Sequence, residues 1–342
     1  MNSQVRFLLG AAAGAAAVIA GSQALRRRHA IDFAGRVVVI TGGSRGLGLV
    51  MARHLAAEGA RLCLLARNET ELARARAELL DAGGEVMTIR CDIRRRADIR
   101  AAVDQIFDRW PAVDVLINNA GVIQVGPLEH MTTEDFENSL ATHFWGPLHM
   151  MYEIVPSMRR RGFGRIVNIS SIGGRLAVPH LAPYCAGKFA LAGLSDAVRS
   201  ELDQHGIRVT TVAPGLMRTG SPVQADMKGQ HEAEYAWFAI SSSLPALTIS
   251  ADRAARQILD ACRHGDPELT ITIQARLAVM ANHVAPGVMA RVLMIVNRLL
   301  PGPGGTTGDR HRKGRDSGSK WAPSAATALT DRAADANNEM TR

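Results

Sequence analysis

The chain has 342 residues, 47% hydrophobic and 21% charged, which supplies a buried core and excludes a wholly disordered chain. Its formal net charge of +8 is gathered at 26–28 and 310–315, with no interleaved aromatics and no nucleic-acid-binding motif, so nucleic acid is not an expected partner. Cysteines stand at 63, 91, 185 and 262 without CxxC spacing or a His/Cys cluster; this predicts free buried thiols, a reducing compartment and no metal site.

The run 7–25 is apolar or small except for Ser22 and Gln23, and Arg26, Arg27 and Arg28 follow at once. As a helix it would be about 28 Å long, against roughly 30 Å of bilayer hydrocarbon. A membrane anchor, a cleaved signal peptide and a helix or loose arm with no membrane role all fit its composition. The arginines favour the anchor, and the positive-inside rule would then place the body on the cytoplasmic side. Residues 1–30 are therefore set apart as an anchor segment.

From residue 37 apolar runs alternate with amphipathic stretches. Runs at 37–40, 62–65, 86–89, 115–117, 166–169, 209–212 and 269–273 are mostly continuous, as strands buried on both faces are. The intervals 48–58, 69–82, 97–109, 132–160, 184–205 and 251–264 read as helices. The fold class is α/β, a doubly wound parallel sheet of Rossmann type in a single catalytic domain over 31–275. Residues 221–250 interrupt the rhythm and predict a lid at a strand's carboxyl end. The apolar stretch 276–303, split by Pro286, predicts a C-terminal helical extension, either packed on the body or facing a membrane. Residues 304–342 are rich in Gly, Ser, Thr, Arg and Asp and predict a disordered tail.

The first strand runs into Thr41-Gly42-Gly43-Ser44-Arg45-Gly46-Leu47-Gly48 and then a helix. Glycines let backbone approach a pyrophosphate, and a helix N-terminus offers free N–H groups and a positive dipole. Further on, Tyr184 and Lys188 are i and i+4 on one helix face, and an ammonium so placed would favour the phenolate. Ser171, at a strand's carboxyl end, can offer a hydroxyl to a substrate oxygen.

The spacing Gly42-xxx-Gly46-x-Gly48, then Asn118-Asn119-Ala120-Gly121, Ile169-Ser170-Ser171, Tyr184-Cys185-Ala186-Gly187-Lys188, and Pro214-Gly215 with Thr219 beyond, occur in one order over about 35–275. In these motifs the chain resembles the short-chain dehydrogenase/reductase family. The resemblance implies that Ser171 polarises a carbonyl, that Tyr184 exchanges the proton, and that Lys188 also binds the nicotinamide ribose. Asp92 and Ile93 match the family's adenine contact. Cofactor contacts are accordingly expected at Thr41, Gly42, Ser44, Arg45, Gly46, Leu47, Gly48, Arg67, Asp92, Ile93, Asn119, Ala120, Gly121, Tyr184, Lys188, Pro214, Gly215 and Thr219.

One position departs from the pattern. Where the family has an asparagine that holds a relay water, this chain has His143. Its imidazole could hold that water, or it could be a structural helix residue. At the end of the second strand, Leu64-Leu65-Ala66-Arg67 carries no acid before Glu69, and Arg45 adds a second cation. Both arginines would suit a 2′-phosphate, so the expected cofactor is NADP(H).

The resulting expectation is an NADPH-dependent carbonyl reductase, or alcohol dehydrogenase in reverse, acting on a lipophilic substrate. Residues 172–181, Leu216, Met217 and the 221–250 lid would wall its pocket. A homo-oligomer through the helices at 132–160 and 184–205 is implied by the resemblance. The competing readings are a sensor that binds NADPH without turnover and a membrane-tethered scaffold; intact Ser171, Tyr184 and Lys188 argue against both.

Overall fold

The structure is a computed structural model that describes residue 21, residues 23 and 24, and residues 26–340. Its centre is a seven-stranded parallel sheet: β1 (Val37–Thr41), β2 (Arg61–Ala66), β3 (Glu85–Arg90), β4 (Val115–Asn118), β6 (Gly164–Ile169), β7 (Ile207–Pro214) and β11 (Glu268–Ile271). The spatial order is β11-β7-β6-β4-β1-β2-β3. The chain therefore winds outward from β1 to β3, returns past β1 to β4, and winds the other way. That reversal opens a crevice at the carboxyl ends of β1 and β4.

Each strand serves two cores. Val38 and Ile40 join the apolar cluster beneath α1 (Gly46–Ala57), α2 (Glu69–Asp81) and α8 (Ala251–His264). Val37 and Val39 join the cluster beneath α3 (Arg96–Arg109) and α5 (Gly146–Arg161). Successive side chains on a strand point to opposite faces, so a strand covered on both sides must be apolar at every position. The continuous runs in the sequence have this cause.

The stretch 132–160, expected as one helix, is three segments. After α4 (Thr133–Leu140) comes a wide π turn at Ala141–Trp145, and only then α5. Pro147 has no N–H to give the carbonyl of His143, so the α ladder cannot run through this point. Another helix, α6 (Ala182–Asp203), starts with Pro183 in its first turn and carries the Tyr184–Lys188 pair.

Residues 221–250 form no simple loop. After β8 (Leu216–Arg218) they hold β9 (Asp226–Met227), α7 (His231–Ser241) and β10 (Thr248–Ser250), which pairs with β8. β9 pairs with the short β5 (Gln124–Val125) and with β12 (Arg312–Lys313) of the tail. Buried Lys228 meets Asp135 of α4 at 2.6 Å. Val125, Leu181, Met227, Tyr235 and Phe238 form a third apolar cluster here.

The tail corrects an expectation. Residues 304–340 carry 3-10 turns at Gly305–Asp309 and Gly314–Asp316, strand β12, and helix α11 (Ala328–Ala336). Its polar groups find partners on the body: Asp309 with His130 at 2.8 Å, Lys313 with Asp226 at 2.7 Å, and Thr330 N–H with Ser243 Oγ at 3.1 Å. A Cβ at Gly314 would lie 2.0 Å from the Pro222 carbonyl oxygen, so this glycine is a place of close approach and not a mark of disorder.

The apolar extension is the opposite case. Helices α9 (Ile273–Val284) and α10 (Pro286–Asn297) leave Ile273, Val284, Val288, Ile295 and Leu299 exposed, and α10 buries none of its residues within the described chain. Among the described residues no helix is long and apolar enough to cross a membrane. The anchor expected at 7–25 lies outside the described residues except for Gly21, Gln23 and Ala24. Part of the basic cluster behind it has a structural use: Arg26 is bonded to Asp266 at 2.8 Å.

Candidate active site

A groove of about 740 Å³ runs along the crevice. At one end it meets Tyr184 and Lys188; at the other it meets Ser44, Arg45, Arg67 and Asp92. The expected contacts Gly42, Gly46, Leu47, Ile93, Asn119, Ala120, Gly121 and Thr219 also line it. Thr41, Gly48, Pro214, Gly215, Ser171 and His143 do not line the groove.

The glycine loop is tied to β4 by the NNAG segment. Asn119 Nδ2 donates to the Thr41 and Gly42 carbonyls at 3.0 and 3.1 Å, and the Asn119 and Ala120 N–H groups donate to Thr41 Oγ1. Thr41 and Asn119 thus shape the loop by bonding to each other. A Cβ on Gly48 would lie 2.1 Å from the Gly42 carbonyl oxygen, so only glycine lets α1 start this close. The result is a backbone cradle at a helix N-terminus, which fits an anionic dinucleotide backbone.

At the reaction end, Lys188 Nζ donates to the Ile169 carbonyl at 2.8 Å and is almost wholly buried. Its ammonium lies 5.7 Å from the centre of the Tyr184 ring. Burial lowers Lys188 to a pKa of about 7. Burial likewise pushes Tyr184 up to about 12, with a hydrogen bond from Ser171 working the other way. Desolvation thus opposes the phenolate, the lowering expected from the ammonium is not found, and Tyr184 holds its proton at neutral pH. The two adjacent serines separate by partner. Ser170 Oγ donates to the Lys188 carbonyl at 2.9 Å, a structural bond behind the helix, whereas Ser171 faces Tyr184.

His143 is fully buried and its ring meets Tyr184 edge-on at 5.5 Å between centroids. Its Nε2 accepts from the Val122 N–H at 3.2 Å. Its Nδ1 lies 3.1 Å from Ser139 Oγ, whose single proton goes to the Pro183 carbonyl at 2.6 Å. Nδ1 must therefore carry the hydrogen and donate to Ser139. Both ring nitrogens are engaged by protein, and burial followed by the Lys188 charge holds the ring well below the usual histidine pKa, hence neutral. This arrangement favours the structural reading of His143 over the water-holding one. A Cβ at Gly187 would lie 2.8 Å from His143 Nδ1, so that glycine makes room for the ring.

The adenosine end holds groups that sequence reasoning missed. Arg94 binds Asp92; burial opposes the Asp92 carboxylate, but the Arg94 hydrogen bonds hold it below its usual range. Glu71 of α2 accepts from Ser44 Oγ at 3.0 Å and lies 3.6 Å from Arg45. Glu339 of the tail lies 3.4 Å from Arg45 on its other side. Arg45, expected as an open cation, stands between two carboxylates. Arg67 is exposed at the groove. No local pattern marks Glu71 or Glu339.

The family model for short chain dehydrogenase matches residues 36–229. A putative ketoacyl reductase of Streptomyces coelicolor is 37% identical over 194 residues, 56% of this chain and 74% of that protein. The dehydrogenase/reductase SDR family member 7B of Bos taurus is 32% identical over 265 residues, covering 75% of this chain and 80% of its own. An actinorhodin polyketide ketoreductase solved with NADPH superimposes with a TM-score of 0.62 at 30% identity, over 69% of this chain and 95% of that one. With the family model over more than half of the chain, and with this sheet order and glycine cradle, the chain belongs to the short-chain dehydrogenase/reductase family.

Proposed function

We propose that the chain is an NADPH-dependent carbonyl reductase in which Tyr184 delivers the proton. The observation that carries this reading is that Tyr184 and Lys188 line one end of a groove, with Ser171 bonded to Tyr184, while the other end is a glycine cradle with Arg67 beside it. The relatives named for ketoacyl reduction, and the neighbour solved with NADPH, support it. The bound cofactor would supply the hydride. Ser171 would orient the substrate oxygen. Tyr184, protonated at neutral pH, would give its proton to that oxygen, and Lys188 would steady the phenolate left behind. The cradle, Asp92, Ile93 and Lys188 would hold the cofactor, with Arg67 as the cation nearest to hand for a 2′-phosphate. A panel of carbonyls and alcohols, followed by NADPH absorbance, tests the reading; NADPH binding without turnover of any of them would favour the sensor.

Met217, Val122 and Ile123 line the groove and support a lipophilic substrate. We also propose that the enzyme works at an anionic membrane surface. The exposed apolar faces of α9 and α10 support this, together with Arg276, Arg291 and Arg298 and the lack of any Asp or Glu from 269 to 308. The run 7–25 would add the anchor. Vesicle flotation tests it: protein starting at residue 30 should float with anionic vesicles, and Val288→Asp with Ile295→Asp should abolish flotation. Equal flotation of both proteins would count against the hairpin. A homo-oligomer belongs to the proposal as well, with exposed Trp145, Tyr152 and Phe189 on the expected helices in its favour.

A further inference from the structure

The last residues of the tail lie on the phosphate cradle. Beyond α11, the Asn337 carbonyl accepts the Gly46 N–H at 2.8 Å. Gly46 opens α1, so this is one of the unpaired amides that make a helix N-terminus an anion site. Asn338, at φ +61°, donates from Nδ2 to the Ser44 and Glu71 carbonyls at 2.8 and 3.2 Å. A left-handed backbone suits asparagine better than most residues. Arg53 grips the Asn337 side chain at 3.1 Å and the Ala336 carbonyl at 2.9 Å. Each contact fixes the chain so that Glu339 turns into the groove.

The Glu339 side chain is 5% exposed. Its Oε1 would be only 2.6 Å from a Cβ at Gly46, so the carboxylate sits directly over the cradle. Its Oε2 is 3.4 Å from Arg45 Nε and has no hydrogen-bond partner. A buried carboxylate oxygen without a donor is an expensive arrangement. Arg45 also faces Glu71, so one guanidinium serves two acids. Around Arg45 itself the two carboxylates outnumber the guanidinium, at the end of the groove where a dinucleotide's extra phosphate would need positive charge.

We propose that Glu339 is a specificity-determining residue of the cofactor site. With the tail docked, its carboxylate holds Arg45 and the Asn337 carbonyl holds the Gly46 amide. Either dinucleotide must displace the Asn337 carbonyl from the cradle, and one with a 2′-phosphate must also displace Glu339 from Arg45, whereas a 2′-hydroxyl can meet the carboxylate as a donor. The docked tail therefore works against both cofactors and more strongly against NADPH. The tail and phosphate compete for the same groups, so the apparent NADPH affinity is reduced by the fraction of chains in which the tail is docked. This inference rests on the NADPH reading above.

The test measures dissociation constants for NADPH and NADH in the full chain, in Glu339→Gln, and in a chain ending at Ala336, which keeps α11. NADPH should bind about tenfold more tightly to Glu339→Gln, the low end for one charge-assisted contact, and at least as tightly to the shortened chain. NADH should change less than twofold in Glu339→Gln and gain less than NADPH in the shortened chain. Hydrogen exchange supplies a second readout on the unaltered protein: saturating NADPH should speed exchange in 328–340, and NADH should do so less. Unchanged or weaker NADPH binding in both variants, or protection of 328–340 by NADPH, would overturn the proposal. If even the shortened chain fails to bind NADPH, the cofactor reading and this inference fall together. If it binds NADPH as the parent does, only the inference falls.

Discussion

The two ends of the groove are built differently. At the reaction end, Ser171, Tyr184, Lys188 and His143 come from β6, α6 and the π turn, and their polar atoms are held by neighbours such as the Ile169 carbonyl and the Val122 N–H. At the adenosine end, the glycine loop and Arg67 are joined by Glu339, almost three hundred residues further along the chain. A reaction centre whose parts lie on one helix face or at one strand end keeps its chemistry in local spacing. A binding end whose charges are set by a distant segment does not.

Four measurements sharpen or break this contrast. The largest effect belongs to the reaction end. Tyr184→Phe keeps the ring and removes the proton, so kcat should fall by about 10²–10⁴ while NADPH still binds. Activity within threefold of the parent would remove Tyr184 from the mechanism. His143→Leu comes next. It leaves the half-buried Val122 N–H without its acceptor, while Ser139 still donates to the Pro183 carbonyl, so one unmet group at roughly 1–3 kcal/mol is expected. Chemical denaturation should register a loss of about 1–3 kcal/mol in that variant. A fully stable His143→Leu protein with lost turnover, restored by His143→Asn, would instead return the histidine to a water relay.

The adenosine end should respond less. Arg67→Ala should weaken NADPH binding roughly ten- to a hundredfold, the worth of one charge-assisted pair, with NADH little changed. Arg45→Ala should cost less, because it also releases Glu339. If the two substitutions proved equal, the carboxylates around Arg45 would have no bearing on the phosphate.

The smallest effect is on pH dependence. Burial raises the Glu339 pKa to about 7, with Arg45 opposing and Glu71 adding to it. Arg45 of the glycine loop and Glu71 of α2 are the charged groups set against that carboxylate. The docked tail binds a proton more readily than the free tail, whose carboxyl titrates near 4.3, so docking strengthens as pH falls through 7. In the cofactor-free chain the hydrogen-exchange protection of 328–340 should therefore rise a few-fold between pH 8 and pH 6. Protection that falls over this range would contradict the sign.

The C-terminal quarter shows where composition misleads. An apolar stretch, 276–303, could be read as packing material, yet α9 and α10 lie exposed. A Gly- and Ser-rich stretch, 304–340, could be read as disordered, yet it adds strand β12 and helix α11. Its stability comes from specific partners on the body, such as Asp226 for Lys313 and Ser243 for Thr330, and composition counts residues without knowing what faces them.

Sequence alone determined the sheet class, the glycine-rich turn before a helix and the placing of Tyr184 and Lys188 on one helix face; Ser171 was reached through the resemblance of its motif. The first three follow from periodicities of two and of 3.6 and from steric limits at glycine, which act between near neighbours. Only the tertiary structure decided that Tyr184 stays protonated, that both nitrogens of His143 are engaged, and that Arg45 stands between Glu71 and Glu339. Each of these depends on desolvation or on a charge a few ångströms away through space. Energies of that kind are set by which segments meet, and separation along the chain carries no record of it.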